Sequence, residues 1–336
     1  LIGTLNAFDT PWVYTIFGAT NAFDKGFNED RLDSFTLFDW RLDIPLFKQS
    51  TLSIGKQKEP ISGERIQSMI FNHMHERSAV ADALLPSRNV VIVLNGGHTS
   101  SYTTWAVGIF NDWFDAGQDL DESATQLIGR VTWAPLRTAD DSSLLHLAFG
   151  YRYSDAREGF RFFTEPEFNS APNFVDTGFG TEAGVLPADW FGTYNAEISW
   201  RRGPLWVAAE YTQTDVSNSD LGDPTFDGYW IGATWALTGE MRPYNPKSGT
   251  FRGLPVAQSV YQGGRGAWEL SARWSTLDLT DGLIDGGELD TASLGLSWWL
   301  TPVFSVSANY RYVWNTRLGM EGTSSGLNAR LLLLLE

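Results

Sequence analysis

Cysteine is absent from this chain of 336 residues. The sequence therefore contains neither a disulfide framework nor a thiolate metal site. Long apolar runs are absent too, since a run such as Leu331–Leu335 is far shorter than the roughly 20 residues of a membrane-spanning helix. These absences exclude a helical membrane protein. They leave room for a transmembrane β-barrel, whose strands turn half of their residues to water.

Signals for catalysis are also scarce. The chain has four histidines, and their spacing singles out no catalytic base. No Gly-rich phosphate loop precedes a predicted helix. The net charge of −16 resides mostly in predicted loops and disfavours nucleic acid as a partner. We therefore expect a protein that is not an enzyme and that uses no cofactor and no metal.

The sequence is rich in segments that alternate apolar and polar residues. In Ala267–Ser275, Trp268, Leu270 and Trp274 fall on one face and Glu269 and Arg273 on the other. The chain also contains 15 Trp, 11 Tyr and 21 Phe, many near predicted strand ends, as an interfacial aromatic girdle requires. The pattern predicts a barrel that is apolar outside and wet inside, in the bacterial outer membrane and surrounded by its lipid.

Fifteen strands can be assigned from this alternation. Bacterial single-chain barrels have an even strand number, and Leu1 begins inside a strand-like run, so we expect one further strand before Leu1. The predicted fold is all-β, a 16-stranded antiparallel transmembrane β-barrel formed by residues 1–336 as a single domain. The predicted strands are Leu1–Asn6, Trp12–Thr20, Leu32–Leu42, Thr51–Lys58, Arg88–Gly97, Tyr102–Asn111, Thr125–Ala134, Leu144–Tyr153, Phe191–Trp200, Leu205–Thr214, Tyr229–Thr238, Gly266–Leu277, Leu289–Leu300, Phe304–Trp314 and Gly326–Glu336.

The register of these strands predicts a lumen wall with more basic than acidic side chains. A charge facing lipid near the midplane costs about 2–4 kcal/mol for Arg or Lys, which fixes the facing of each strand. Arginines on the inner face attract anions, because pore-lining charges set selectivity more than total charge does. The alternative is that these arginines pair with lumenal glutamates such as Glu197, Glu210 and Glu269. The predicted wall arginines are Arg130, Arg152, Arg273 and Arg311, together with Arg201 and Arg330.

The segment 59–87 breaks the strand pattern. It is longer than an ordinary hairpin loop and mixes Met69, Ile70, Phe71 and Met74 with charged residues. We expect it to fold into the lumen as a constriction loop. Its apolar residues would pack on the inner wall, and its cations would line the opening.

Several blocks of sequence resemble the phosphate-selective porin O/P family of trimeric outer-membrane channels. The similarity covers nearly the whole chain. It implies a sixteen-stranded barrel, a constricting third loop and a homotrimer. The blocks are Leu52–Pro60, His75–Arg77, Ala236–Tyr244, Gly266–Leu270 and Leu294–Trp299.

The resemblance also implies residues for the constriction. The family's loop lysine falls on Arg65, its aspartate falls on Asp33, and one of its tyrosines is replaced by Lys58. Arginine offers a planar fork to oxyanions and lysine a compact charge, so these residues can form a cationic opening. The alternative is that Arg65 pairs with Glu64, Glu59 or Asp33 and braces the loop. The candidate constriction residues are Arg65, Asp33, Lys58, Lys56, Arg77 and Glu64.

The function expected from the sequence is passive diffusion of small hydrophilic solutes through a homotrimeric outer-membrane porin. The expected preference is for anions, either phosphate or other small oxyanions. One alternative is a non-selective or weakly cation-selective general porin. Others, of a different class, are a structural barrel of the envelope or a soluble Trp-rich β-protein.

Overall fold

The computed structural model describes residues 1–6, 10–20, 35–47, 49–111, 125–156, 159–181 and 184–334. In this part of the chain fifteen strands form one antiparallel sheet, and each pairs with its neighbours in chain order. The strands are β1 (Ile2–Leu5), β2 (Trp12–Thr20), β3 (Phe35–Phe47), β4 (Ser50–Lys58), β5 (Arg88–His98), β6 (Thr103–Asn111), β7 (Thr125–Arg137), β8 (Ser143–Asp155), β11 (Trp190–Arg202), β12 (Leu205–Ser217), β13 (Thr225–Ala236), β16 (Ala267–Asp281), β17 (Ile284–Thr301), β18 (Phe304–Arg317) and β19 (Met320–Leu333).

Two small two-stranded sheets lie in the connections. They are β9 (Phe163–Thr164) with β10 (Val175–Asp176), and β14 (Tyr244–Asn245) with β15 (Thr250–Phe251). Helical segments are short: α1 (Gly63–Ile66), α2 (Ala79–Leu84) and the 3-10 turns Met69–Phe71, Ser219–Leu221 and Val260–Gln262. Among the described residues, no helix is both long and apolar enough to cross a membrane.

The prediction of fifteen antiparallel strands is confirmed, and the bounds differ mainly at strand ends. β3 continues to Phe47 rather than ending at Leu42, and β19 begins at Met320 rather than Gly326. The added part of β3 contains Pro45, and the added part of β19 is mostly polar on both faces. The alternation of apolar and polar residues on which the prediction depended is therefore lost in both. The sixteenth strand was expected before Leu1, and it stays a prediction.

The sheet curls into a barrel, because the connection between β4 and β5 reaches strands far from both of them across the inside of the sheet. Ser62 of this connection donates from its hydroxyl to the Glu210 carboxylate on β12 at 2.5 Å. His75, from the connection between β4 and β5, lies 2.7 Å from Ser307 on β18. Such contacts define an inner surface.

The two faces of β16 show how the sequence creates this inner surface. Leu270, Ala272 and Trp274 are exposed on the outside, whereas Glu269 and Arg273 are about 4% exposed and point inward. Burial of an inward charge inside the barrel implies that other groups fill the lumen next to it. Those groups come from two long connections.

The connections differ between the two ends of the barrel. At the end called here the loop end, residues 59–87 and 156–189 join β4 to β5 and β8 to β11. At the opposite end, called the turn end, joints are short, as at Gly203–Pro204 and Pro302–Val303. The exception is residues 237–266, which join β13 to β16 at the turn end and include β14 and β15.

The segment 59–87 enters the barrel from the loop end. Ser62 is the N-cap of α1 and accepts a hydrogen bond from the Arg65 backbone amide. Ser78 is the N-cap of α2 and accepts one from the Ala81 backbone amide. Ile61 of this segment packs on Val91 and Phe110 of the inner wall, in a cluster completed by Ala81, Leu85, Val93 and Ile128. The expectation that the apolar residues of this segment pack on the wall holds for Met74, which is 3% exposed, but is wrong for Ile70, which is 37% exposed.

The segments 59–87 and 237–266 meet inside the barrel. Arg242 donates from Nη1 to the carbonyl oxygen of Phe71 at 3.4 Å, and the Phe71 ring lies 6.4 Å from that of Trp299. A third connection, 156–189, contributes Phe160, Phe162 and Val175 to a cluster with inward residues of β12–β18 at the loop end. The lumen beside β8, β11–β13 and β16–β18 is therefore filled.

Candidate channel constriction

Two cations face each other where β4 and β5 meet the loop end. Lys58 is the last residue of β4, because Pro60 cannot continue the ladder, and it pairs in register with Arg88, the first residue of β5. Like charges directly opposite destabilise a sheet, so each needs compensation. Arg88 binds Asp39 at 2.8 Å. Lys58 instead donates from Nζ to the carbonyl oxygens of Gln67 at 2.7 Å and Ile66 at 3.4 Å.

The inserted segment brings two arginines to the same place. Arg65 binds Asp82 at 2.7 Å and donates to the carbonyl oxygens of Leu85 and Pro86. Arg65 therefore does brace the loop. Its acidic partner is Asp82 and neither Glu64 nor Glu59, two of the partners considered in that alternative, and the third, Asp33, lies outside the described residues.

Arg77 completes the group. It donates from Nη2 to Gln67 O at 3.4 Å, and from Nε to Glu64 O at 3.2 Å. Lys58 and Arg77 thus share one carbonyl oxygen, that of Gln67. In the described part of the chain, neither forms an ion pair with a carboxylate. Four cations therefore converge with two paired acids. We call Lys58, Arg65, Arg77 and Arg88 the cation cluster.

The cation cluster lies between two cavities. The turn-end cavity has a volume of about 610 Å³ and is lined by Lys58 and Arg88. The loop-end cavity has a volume of about 380 Å³ and is lined by Arg65 and Arg77. The cation cluster therefore borders both cavities.

Three candidate constriction residues are not placed in this cluster. Lys56 is buried in β4 and lies outside the lining of both cavities. Glu64 is 4% exposed and turns to the wall, where it accepts from Ser78 and from Arg273. Asp33 lies outside the described residues.

The predicted wall arginines Arg130, Arg152, Arg273 and Arg311 point inward, and the first three bind carboxylates. Arg201, also predicted for the wall, binds Asp141 at 3.0 Å. Arg130 is held by Glu197 at 2.9 Å, and Arg152 by Glu59 at 2.9 Å. Arg273 binds two carboxylates, those of Glu64 at 3.2 Å and Glu167 at 2.5 Å. Buried ion pairs of this kind need both partners, because removing one leaves an uncompensated charge. Arg152 and Arg273 thus fasten connections to the wall, whereas Arg130 joins two wall strands.

Arg311 differs from the other three. It is also 4% exposed, but it donates only to the amide oxygen of Asn328 and lies 5.1 Å from the ring centre of Phe168. Its Nε and Nη1 have no hydrogen-bond partner among the described residues. Arg311 lines neither of the two cavities.

The cluster contains residues that the sequence analysis did not select. Arg88 could have been found, since pairing β4 with β5 places it opposite Lys58. Asp82 and the carbonyl oxygen of Gln67 could not, because their positions depend on the path of segment 59–87 inside the barrel.

Groups typical of catalysis or metal binding are dispersed. His73 packs between Trp206 and Trp230, whereas His75 contacts Ser307. In the described part of the chain, no three His, Cys, Asp or Glu residues are arranged to hold a metal ion. Residues 322–326 do spell Gly-x-Ser-x-Gly, but they lie within β19 and not at the strand-to-helix turn of a nucleophile elbow.

Comparison with known proteins places this geometry in a family. The profile of the family described as phosphate-selective porin O and P matches residues 11–331. The chain belongs to this family. It is therefore a porin, a transmembrane β-barrel channel of the bacterial outer membrane, and the predicted family and location are confirmed.

Solved structures share the fold at low sequence identity. An anion-selective porin from Comamonas acidovorans is 12% identical, with a TM-score of 0.54 over 98% of this chain and 86% of that one. The trimer form of in-vitro folded OmpT, an outer-membrane protein of Vibrio cholerae, is 10% identical, with a TM-score of 0.53 over 99% and 89%. An uncharacterized protein of Caulobacter vibrioides is 29% identical over 120 residues, which are 36% of this chain and about a fifth of that protein.

Proposed function

We propose that this porin is a passive diffusion channel for small hydrophilic solutes with a preference for anions, phosphate or other small oxyanions among them. Segment 59–87 forms its constriction. The observation that carries the proposal is the cation cluster between the two cavities, in which Lys58 and Arg77 share the carbonyl oxygen of Gln67. No catalysis is required, because solutes move down their own gradients.

The geometry suits passage rather than tight binding. Asp39 and Asp82 each neutralise one cation of the cluster, and carbonyl oxygens occupy some of the remaining donors. A net positive but partly compensated opening attracts an anion and still releases it, as conduction requires. The similarity to the anion-selective porin of Comamonas acidovorans and the family description support the same preference.

We further propose a homotrimer in which each chain carries its own pore. Support comes from the trimer form of OmpT, which shares the fold. The outer surface presents apolar residues such as Ile92, Val107 and Leu294, each more than half exposed, and these can be covered by lipid or by another copy. Chemical cross-linking in detergent should give a species of three chains.

Anion preference is tested by the reversal potential across a planar bilayer under a KCl gradient. We expect chloride to be more permeant than potassium in the native chain. A charge about 6 Å from the ion path changes the energy of a monovalent ion by about 0.7 kcal/mol in water, or about threefold. Because the sign is opposite for chloride and potassium, the Lys58→Met variant should reduce the chloride-to-potassium permeability ratio about tenfold.

Arg265→Met is the matched control, because Arg265 is exposed in segment 237–266 and lines neither cavity. Its permeability ratio should equal that of the native chain. A native channel that favours potassium, or one whose ratio is the same with and without Lys58, would refute the proposed preference and indicate a general porin.

A further inference from the structure

Apolar side chains of the inserted segment line the two cavities beside the cation cluster. Ile66 and Ile70 line the turn-end cavity and Met69 the loop-end cavity. Ile70 is 37% exposed, although Ile61 and Met74 of the same segment are buried on the wall. Exposed apolar surface inside a polar lumen carries a free-energy cost, so a cluster of it is informative. We call Ile66, Met69 and Ile70 the apolar strip.

The apolar strip begins next to the cation cluster. Arg65 directly precedes Ile66, and the Ile66 carbonyl oxygen lies 3.4 Å from Lys58 Nζ. Because Ile66 and Met69 line different cavities, the strip extends to both sides of the cluster. Wall residues Val93 and Ala106 also line the turn-end cavity and add apolar surface near the strip.

An inorganic oxyanion would gain nothing from this strip. Phosphate and chloride are hydrated on all sides, and apolar walls provide no partner for their water. A solute with one anionic group and a short hydrocarbon body can place its charge at the cation cluster and its body along Ile66 and Ile70. The turn-end cavity of about 610 Å³ lies within the about 300–1,000 Å³ range of sites for small organic molecules.

We propose that the preferred solutes of this porin are amphipathic organic anions, each with a single carboxylate or sulfonate on a short hydrocarbon chain. This inference rests on the proposed anion preference and narrows it. The charge is held by the cation cluster, and the hydrocarbon chain contacts the apolar strip.

The test uses alkyl sulfonates, whose charge does not titrate near neutral pH. Methanesulfonate and butanesulfonate carry the same charge and differ by three methylenes. Half burial of a methylene strengthens binding about twofold, so the three together give about eightfold. Butanesulfonate should therefore half-block the chloride current at about one eighth of the methanesulfonate concentration. It should also block at a lower concentration than inorganic phosphate.

Two variants locate the effect. The double variant Ile66→Ser, Ile70→Ser removes apolar surface and keeps every charge, so the eightfold difference should fall below about twofold while the KCl reversal potential is unchanged. Ile70→Ser alone, at an exposed position of the strip, should lose part of the eightfold difference between the two sulfonates. This single variant is the test if the double variant does not fold. Val185→Ser is the control, since Val185 is 40% exposed but lines neither cavity.

The outcomes separate this inference from the proposed function. If chloride is favoured over potassium but both sulfonates block equally, the amphipathic preference is refuted and the anion preference stands. The same follows if the eightfold difference persists in both isoleucine variants. If the native channel shows no anion preference in KCl, the proposed function fails and this inference fails with it.

Discussion

The two sides of the lumen handle charge in different ways. On the side formed by the inner faces of β3–β7, the open side, Lys58 and Arg88 line a cavity and Lys58 is held only by carbonyl oxygens among the described residues. On the side formed by β8, β11–β13 and β16–β18, the closed side, Arg152 and Arg273 are buried and bound to carboxylates. We therefore propose that the same residue types act as a selectivity filter on one side and as structural ion pairs on the other.

This difference shows why counting lumenal arginines does not predict selectivity. A paired and buried arginine presents almost no net charge to a passing ion, since its carboxylate lies about 3 Å away. Only cations whose carboxylates are missing or too few can attract an anion into the path. In the cation cluster, Lys58 and Arg77 form no ion pair with a carboxylate of the described residues.

The largest expected effect comes from breaking a pair on the closed side. Arg273→Met leaves Glu64 and Glu167 buried without their cation, which should lower the free energy of unfolding by about 3–5 kcal/mol. Urea titration of the barrel in lipid vesicles, followed by tryptophan fluorescence, measures the change.

Arg311→Met is the matched comparison for this variant. Arg311 is equally buried, but two of its nitrogens are unpartnered among the described residues. Its removal should change the free energy of unfolding by less than about 1 kcal/mol. Equal losses in the two variants would contradict the assignment of Arg273 as a fastening residue.

A smaller effect is expected where the two inserted segments touch. A Cβ atom at Gly253 would overlap the ring of Phe71, so Gly253→Val should displace the tip of segment 59–87 and destabilise the barrel by about 1–3 kcal/mol. Single-channel conductance should change as well, because Ile66–Ile70 immediately precedes Phe71. Gly129→Val is the control, since nothing lies within 4 Å of its Cβ position. Unchanged conductance in Gly253→Val would show that the contact does not position the constriction.

The smallest expected effect is a pH dependence at the loop-end cavity. Glu76 lines the loop-end cavity, and burial together with the charge of Asp82 raises its pKa to about 7, against the opposing arginines Arg273, Arg311 and Arg330. Glu76 is therefore neutral at pH 5.5 and negative at pH 8.5. The chloride-to-potassium permeability ratio should be up to about threefold higher at pH 5.5.

The Glu76→Gln variant measures the share of this pH dependence that comes from Glu76. The pKa of His75 is lowered to about 4 by burial and by Arg330, so this histidine stays neutral over the whole range. The ratio should change less with pH in the Glu76→Gln variant than in the native chain. An equal change in the two chains would assign the effect to another group.

Much of the barrel could be predicted from the sequence, because each strand carries its own alternation. β2 was predicted at its observed bounds, and in β16 the inward charges Glu269 and Arg273 were assigned correctly. The packing of segments 156–189 and 237–266 inside the closed side was not predicted. One sequence signal for a strand whose inner face is covered by a connection was nevertheless present. The run Val90–Leu94 is apolar on both faces, as in strands covered on both sides, and Val91 and Val93 are indeed covered by segment 59–87.

The details of the constriction depend on contacts that no local pattern encodes. Arg65 binds Asp82, 17 residues away, only because the segment between them turns back inside the barrel. Glu64 could belong to the path or to the wall on sequence grounds, and Arg273, 209 residues away, decides for the wall. The facing of a strand can thus be predicted from its own residues. Whether a charged side chain lines the path or is paired at the wall depends on residues distant in the sequence.

The contact between Glu64 and Arg273 also has a consequence for the time course of folding. Arg273 lies on β16, and Glu167 reaches it from the connection between β8 and β11. Contacts across such sequence distances form late, because many intervening residues must be ordered first. A chain in which only the first strands are paired therefore lacks the contacts of Arg273 with Glu64 and Glu167 that hold segment 59–87 in place. We expect the proposed constriction to form only when the barrel is nearly complete.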